Sequence, residues 1–352
     1  MIFAKPSVRS LTKYSVPQEA QIKLNQNESP YDLPAELKRE ILSNLESWDW
    51  NRYPPDEQDV LQRRLAEYTH FTPEGLLPGC GSNELIQVLV EGLCSPGERI
   101  AVVTPGFSVY ARIAAVRELI VNKIPLREDF SFDVERIAAQ AATDRVVFLA
   151  SPNNPTGTSL SPGDVQRLAE SLSGILVIDE AYFEFSQQTA QDLLLCFDRL
   201  FILRTFSKAW GLAGLRLGYL IGDPANIAQL RKVKLPFSMG IFPLLAGTAL
   251  LKRPQLVQEA VQTIKSERER VFRALSLLSG IDPIPSSANF ILFRTRILDG
   301  EQLFQALLDR GILLRRFESL RLADHLRVTI GKSHENDAFL DVLKSVLMEA
   351  GQ

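Results

Sequence analysis

Apolar positions along this chain recur in two alternating rhythms. Short, nearly unbroken apolar runs have the length of strands: RIAVVT (99 to 104), LIVNKI (119 to 124), RVVFLA (145 to 150), ILVID (175 to 179), RLFILR (199 to 204) and RLGYLI (216 to 221). Between them lie stretches whose apolar residues return every third or fourth position, the period of a helix with one face turned inward. A strand that is apolar on both faces needs a covering layer on each side. The pattern therefore predicts an α/β fold with a mainly parallel, helix-covered sheet.

The flanking segments read differently. Near the N-terminus, LPAELKREILSNLESW places Leu37, Ile41, Leu42 and Leu45 on one helical face. After the proline-rich break in NRYPPDEQ, a second helix is expected with Val60, Leu61 and Leu65 inward. Ser161, Pro162 and Asp164 have the spacing of a helix start, with Ser161 as cap. A long helix repeating Leu256, Val261, Ile264, Val271, Leu275 and Leu278 should end at Gly280. Beyond it, ANFILFR, GILLRR and LRVTIG alternate with helical stretches such as EQLFQALLDR, the pattern of a smaller α+β unit. The expected division is an arm and helix over residues 1–50, a large domain over 51–250 and a small domain over 251–352, with residues 1–50 joining the small domain.

Composition narrows the function classes. A length of 352 residues, 45% hydrophobic and 23% charged, fits a soluble enzyme of more than one core. The net charge of -3 gives no broad attraction to nucleic acid or to an anionic membrane. No apolar run is long enough to span a bilayer and no signal-peptide apolar region is visible, so a cytoplasmic location is expected. Cys80, Cys94 and Cys196 are scattered and are expected to be reduced and mostly buried. With His70, His325 and His334 they form no metal-ligand spacing, so metal catalysis is not expected.

In an open parallel sheet, ligands bind beyond the carboxyl ends of the strands. Those ends carry Phe107, then Asn153 to Gly157, then Asp179 and Tyr182, then Thr205, Ser207 and Lys208. Singly, each has a plainer explanation: Asn-Pro as a turn, Asp179 as a helix cap, Arg216 as a surface charge. Together they match the needs of pyridoxal 5'-phosphate, namely a lysine for a Schiff base, an acid for the pyridine nitrogen and a phosphate cradle. Asn154 and Tyr182 suit the ring's phenolic oxygen and Phe107 its face. Arg216, Ser207 and the helix start at Ser82 and Asn83 suit the phosphate. GCGSNE begins like a dinucleotide fingerprint but has Glu84 where the third glycine belongs.

The segments KLNQNESPY, RYP, GCGSNELI, SPNNPTGT, VIDEAYFEF, RTFSKAWGLAGLRLGY, VKLPF, ANFILF, GILLR and LRVTIGKSHEN span nearly the whole chain. In combination they resemble the fold-type I pyridoxal-phosphate aminotransferases, most closely the histidinol-phosphate aminotransferase family. That resemblance implies a large cofactor-binding domain and Lys208 as the aldimine lysine. It makes Asp179 the partner of the pyridine nitrogen and Tyr182 and Asn154 the partners of the phenolic oxygen. Ser82, Asn83, Thr205, Ser207 and Arg216 fall at phosphate-binding positions. Tyr53 matches a tyrosine that reaches the phosphate from a neighbouring subunit, which implies a homodimer with shared sites. Tyr14, Asn25, Asn27, Arg315 and Arg327 are placed in the substrate pocket.

The implied reaction interconverts histidinol phosphate and 2-oxoglutarate with imidazole-acetol phosphate and glutamate, in histidine biosynthesis. Phe107 stands where many of these enzymes carry tyrosine, as in the related threonine-phosphate decarboxylases. That decarboxylase activity and an aromatic amino-acid aminotransferase are the alternatives. A regulator using this fold to bind an effector is a non-enzymatic one; it would need a fused basic helix-turn-helix domain, for which the sequence leaves no room.

Overall fold

The computed structural model describes residues 3–9, 11–12, 20–55 and 60–351. The first strand, β1 (Ile22–Lys23), lies in the N-terminal segment. A seven-stranded sheet follows, made of β2 (Leu76–Gly79), β3 (Arg99–Thr104), β4 (Ile120–Pro125), β5 (Val146–Ala150), β6 (Ile175–Asp179), β7 (Leu200–Thr205) and β8 (Gly218–Gly222). Their spatial order is β2-β8-β7-β6-β5-β3-β4.

Strands β3 to β7 pair in parallel, as the doubly apolar runs predict. One layer of helices packs Leu85, Leu89, Tyr110, Ala114, Ile227 and Leu230 against Val102, Phe148, Val177 and Leu203. The alternate residues Val103, Val147, Leu149, Ile178 and Ile202 join Val165 and Leu168 on the opposite face. The helix Pro162–Ser171 has the expected start, with Ser161 and Asp164 bonding reciprocally in a capping box.

Two features depart from the strand pattern. β8 runs antiparallel to both β7 and β2, because the chain between β7 and β8 folds into local turns around Lys208 and re-enters from the same end of the sheet. β8 also begins at Gly218, since Arg216 adopts a left-handed φ of 53° that no strand continues through. The edge strand Leu76–Gly79 has a proline and a glycine in its four residues, and its sequence carries no strand signature.

A second, antiparallel sheet contains β9 (Ile281–Pro283), β10 (Phe290–Thr295), β12 (Arg315–Arg316) and β13 (His325–Thr329), ordered β12-β13-β10-β9. The run GILLRR is divided: β11 (Ile312–Leu313) pairs in parallel with β1, and only Arg315 and Arg316 pair with β13. The N-terminal segment is thereby tied to the C-terminal sheet. Helices Pro254–Ser276, Gly300–Leu308 and Ser333–Ala350 bury Val261, Leu303, Phe339 and Leu343 against these strands.

Some inward assignments are corrected. Leu42 is 49% exposed and Val60 52% exposed, because the faces that bury are set by Leu37 and Ile41 and by Leu61 and Leu65. The long helix ends at Ser276, four residues before Gly280, whose φ of 78° belongs to the turn into β9. The three cysteines are free as expected, but Cys80 and Cys94 are half-buried and Cys196 is exposed.

Candidate active site

Register brings the strand ends together. Ala150 lies beside Asp179, and Asp179 beside Leu203, so the loops after β5, β6 and β7 open at one edge of the sheet. Across β7, Thr205 faces Gly218 of β8. A Cβ on Gly218 would lie 2.7 Å from the Ser82 backbone nitrogen, so the start of helix Gly81–Leu93 can approach only where residue 218 has no side chain.

That helix start has the chemistry to serve as half of an anion cradle. Its first backbone N–H groups, those of Ser82 and Asn83 included, have no intrahelical acceptor and carry the positive end of the helix dipole. The Arg216 guanidinium lies over Gly81, where a Cβ would sit 2.6 Å from it, and donates to Ser207 Oγ at 3.1 Å. Thr205 is turned toward its own loop: Oγ1 accepts from the Ser207 N–H at 3.1 Å and donates to the Leu217 carbonyl at 3.3 Å. It shapes the loop that presents Ser207 and Lys208.

The centre of the site holds two opposed titratable groups. Lys208 is half-buried by accessible surface but densely surrounded by protein. Desolvation first, then the nearby Arg327 charge, lowers its amine to about 7. Its Nζ donates to the Gln26 carbonyl at 2.9 Å. Burial pushes the Asp179 carboxyl up to about 6, and two hydrogen bonds oppose that rise. Oδ2 accepts from Tyr110 Oη at 2.6 Å and Oδ1 from the Ala181 N–H at 3.0 Å.

Tyr110, the hydrogen-bond partner of Asp179, is the candidate site residue that the sequence pattern does not reveal. It sits on the apolar face of helix Ser108–Val116, where an aromatic residue reads as core. It is indeed buried, stacked on Phe148 at 5.0 Å and edge-on to Phe107 at 5.3 Å. Only the placement of its hydroxyl at the end of β6 reveals its partner.

A strap from the N-terminal segment crosses the cleft. Three consecutive residues each touch a site group: the Asn25 carbonyl accepts from Arg327 at 2.7 Å, the Gln26 carbonyl from Lys208, and Asn27 Nδ2 donates to Tyr182 Oη at 2.9 Å. Arg327 also donates to Asn154 Oδ1 at 2.5 Å. Arg315 lies opposite Arg327 across β12 and β13, and both guanidinium groups lie within 6.0 Å of the Phe317 ring centre.

Of the residues singled out in the sequence, the structure thus gathers Lys208, Asp179, Tyr182, Asn154, Asn25, Asn27 and Arg327, with Arg315 beside them. Ser82, Asn83, Ser207 and Arg216 form the cradle and Phe107 flanks Tyr110. Tyr53 is not gathered within this chain: it is 78% exposed and stacked on Phe237 at 4.5 Å. Tyr14 lies outside the described residues.

On the far side of the same strand ends lies a buried ion pair. Arg204 donates to Glu180 Oε2 at 3.0 and 2.9 Å and to Thr189 Oγ1 at 2.8 Å, and its guanidinium lies 3.9 Å from the Phe183 ring centre. Glu180 and Arg204 are the immediate chain neighbours of Asp179 and Thr205. Their pairing fixes the backbone that presents those residues to the cleft.

Comparison with known proteins shows the family. The family model for aminotransferase class I and II matches residues 19–343, and the chain belongs to that family. It is 39% identical over 348 residues to a histidinol-phosphate aminotransferase of Prosthecochloris aestuarii, covering 96% of each chain. It is 40% identical over 329 residues to a histidinol-phosphate aminotransferase of Pyrococcus furiosus, covering 94% of this chain and 93% of the relative. The solved histidinol-phosphate aminotransferase of Sinorhizobium meliloti, in complex with pyridoxal-5'-phosphate, shares the fold. Its TM-score is 0.90 at 24% identity, covering 99% of this chain and 98% of that one.

Proposed function

We propose that this chain is a pyridoxal-phosphate-dependent transaminase that interconverts histidinol phosphate and 2-oxoglutarate with imidazole-acetol phosphate and glutamate. The observation that carries the reading is the half-buried Lys208 amine, lowered to about 7 and within electrostatic reach of Arg216 and the Asp179 carboxyl. Support for the substrate comes from relatives named histidinol-phosphate aminotransferase at 35–40% identity over nearly the full chain.

The residues present fit the cofactor. The cradle of Arg216, Ser207 and the Ser82–Asn83 helix start suits its phosphate, the carboxylate of Asp179 its pyridine nitrogen, and Asn154 and Tyr182 its ring oxygen. When bound, pyridoxal phosphate supplies an electron sink for the bond broken at the substrate's amine-bearing carbon. Bonds from Tyr110 and Ala181 favour the charged form of Asp179 against the burial that raises it to about 6. Lys208, half-neutral near pH 7, can both bond a carbonyl carbon and carry a proton to and from carbon. Arg327 and Arg315 present two cationic forks for the substrate's anionic group, a phosphate in one direction and a carboxylate in the other.

We further assign the cofactor to a large domain over 51–250 and a small domain to 251–352 with residues 1–50. The confinement of the two main sheets to 76–222 and 281–329 supports this. A homodimer with shared sites is proposed on the exposed Trp48, Trp50, Tyr53 and Phe242, which border a groove of about 380 Å³, with Phe237 stacked on Tyr53. Trp50 and Tyr53 are 75% and 78% exposed, more than a monomer's surface favours. No helix among the described residues is long and apolar enough to cross a membrane, and we place the protein in the cytoplasm.

The test is a ranking of kcat/KM for histidinol phosphate, phenylalanine and O-phosphothreonine with 2-oxoglutarate, with carbon dioxide collected in parallel. Histidinol phosphate should lead by tenfold or more with no carbon dioxide formed. Carbon dioxide released from O-phosphothreonine, with no amino transfer from histidinol phosphate, would replace the transaminase by a decarboxylase.

A further inference from the structure

Asn27 holds an unusual position for a pocket residue. Its φ is 55° and it is 1% exposed, pinned at every polar atom. Its N–H donates to Thr329 Oγ1 at 2.9 Å, and that hydroxyl's one proton goes to Asn27 Oδ1 at 3.1 Å. Its carbonyl accepts from Asn289 Nδ2 at 3.1 Å. With Oδ1 thus occupied as an acceptor, the other end of the amide, Nδ2, faces Tyr182 Oη at 2.9 Å. An amide nitrogen can only donate, so the Tyr182 oxygen must accept there and its own proton must point elsewhere.

We infer that Asn27, oriented by Thr329, is a positioning residue that directs the Tyr182 hydroxyl proton into the cleft, toward the ring oxygen of the bound cofactor. The inference rests on the proposed cofactor reading and adds a chain that starts on β13, passes through the N-terminal strap and ends beside β6. Neither Thr329 nor Asn27 touches the reacting atoms in this role. The strap itself is held independently, by the Thr329 N–H on the Leu24 carbonyl and the Leu24 N–H on the Leu313 carbonyl, both at 2.9 Å.

A proton donated to the ring oxygen stabilises that oxygen's negative charge. It lowers the pH at which the neighbouring Lys208-linked nitrogen gives up its proton. Asn27→Gly tests this cleanly, because glycine accepts the positive φ and keeps the backbone contacts while removing the amide. Asn27→Gly and Thr329→Val should each raise the pH midpoint of the bound cofactor's absorption change, by about half a unit to one unit. Thr329→Ser, which restores the hydroxyl, should leave it at the wild-type value, and in a Tyr182→Phe background Asn27→Gly should add nothing.

The second readout needs no cofactor: the ring-carbon resonance of ¹³C-labelled Tyr182 in the cofactor-free protein should move in Asn27→Gly and Thr329→Val, and not in Thr329→Ser. A midpoint and a resonance both unmoved in Asn27→Gly would overturn the inference. If the wild type bound no pyridoxal phosphate, the cofactor reading would fall, and the tyrosine resonance alone would still decide the direction of the proton. Should Thr329→Val not fold, Asn27→Gly carries the decision.

Discussion

The Lys208 amine donates to the carbonyl of Gln26, a residue 182 positions earlier in the chain, at 2.9 Å. Strap and lysine loop therefore meet over the cleft, and the amine is held at a defined point within electrostatic reach of Arg327 and Asp179. Its depressed affinity for protons has consequences for stability and for reactivity.

With an amine lowered to about 7, against roughly 10.4 in an unfolded chain, the unfolded state binds more protons between those values. The stability of the cofactor-free protein should rise with pH across that window, and Lys208→Met should remove that part of the slope. Urea unfolding at a series of pH values measures it. The rate at which cofactor-free protein captures pyridoxal phosphate should rise through pH 7 on the same account.

Tyr110→Phe removes the 2.6 Å bond to Asp179 and leaves the ring packing on Phe148 in place. The carboxyl, already raised to about 6 by burial, should rise further. A hydrogen bond to a charged group is worth about 1.5–3 kcal/mol, so cofactor affinity should weaken by about tenfold or more with little change in thermal stability. Equilibrium dialysis gives the affinity, and ¹³C NMR of the Asp179 carboxyl gives its titration.

The Arg204–Glu180 pair is almost wholly buried, with side-chain exposures of 3% and 2%. Arg204→Met strands a buried carboxylate and should destabilise the fold by about 3–5 kcal/mol. Adding Glu180→Gln should recover much of that loss, because no buried charge is then left alone. A double-mutant cycle in urea tests the coupling.

If Tyr53 serves the partner subunit's site, two inactive variants should complement each other. Lys208→Ala and Tyr53→Ala proteins, unfolded together and refolded, should regain about a quarter of wild-type activity, because half of the dimers are mixed and each mixed dimer has one intact site. Activity that never exceeds that of the separately refolded variants would remove the shared site.

Much of this was legible in the sequence, for a physical reason. Parallel strands covered on both sides must be apolar throughout, so Val146 to Ala150 and Ile175 to Asp179 announce themselves, and the chemistry sits where those runs stop. Lys208, Asp179, Asn154 and Tyr182 stand out as candidates in that way. Tyr110 does not, because a hydroxyl on a buried aromatic ring leaves no trace in a periodic pattern. The antiparallel entry of β8 depends on local turns around Lys208 that leave no periodic trace, and the division of GILLRR between two sheets depends on contact with a distant segment, at Ile22. Leu42 and Val60 lie outside the core, contrary to the pattern, because one apolar residue beside a buried stripe cannot show on which side of it the protein lies.

The most direct measurement is a half-reaction without an acceptor. Wild-type protein loaded with pyridoxal phosphate is mixed with histidinol phosphate alone, and the cofactor absorption is followed. The amino group should pass to the cofactor in every competent site, the spectrum should return on adding 2-oxoglutarate, and Lys208→Ala should do neither. A spectrum unchanged by histidinol phosphate in wild-type protein that has bound its cofactor would contradict the account.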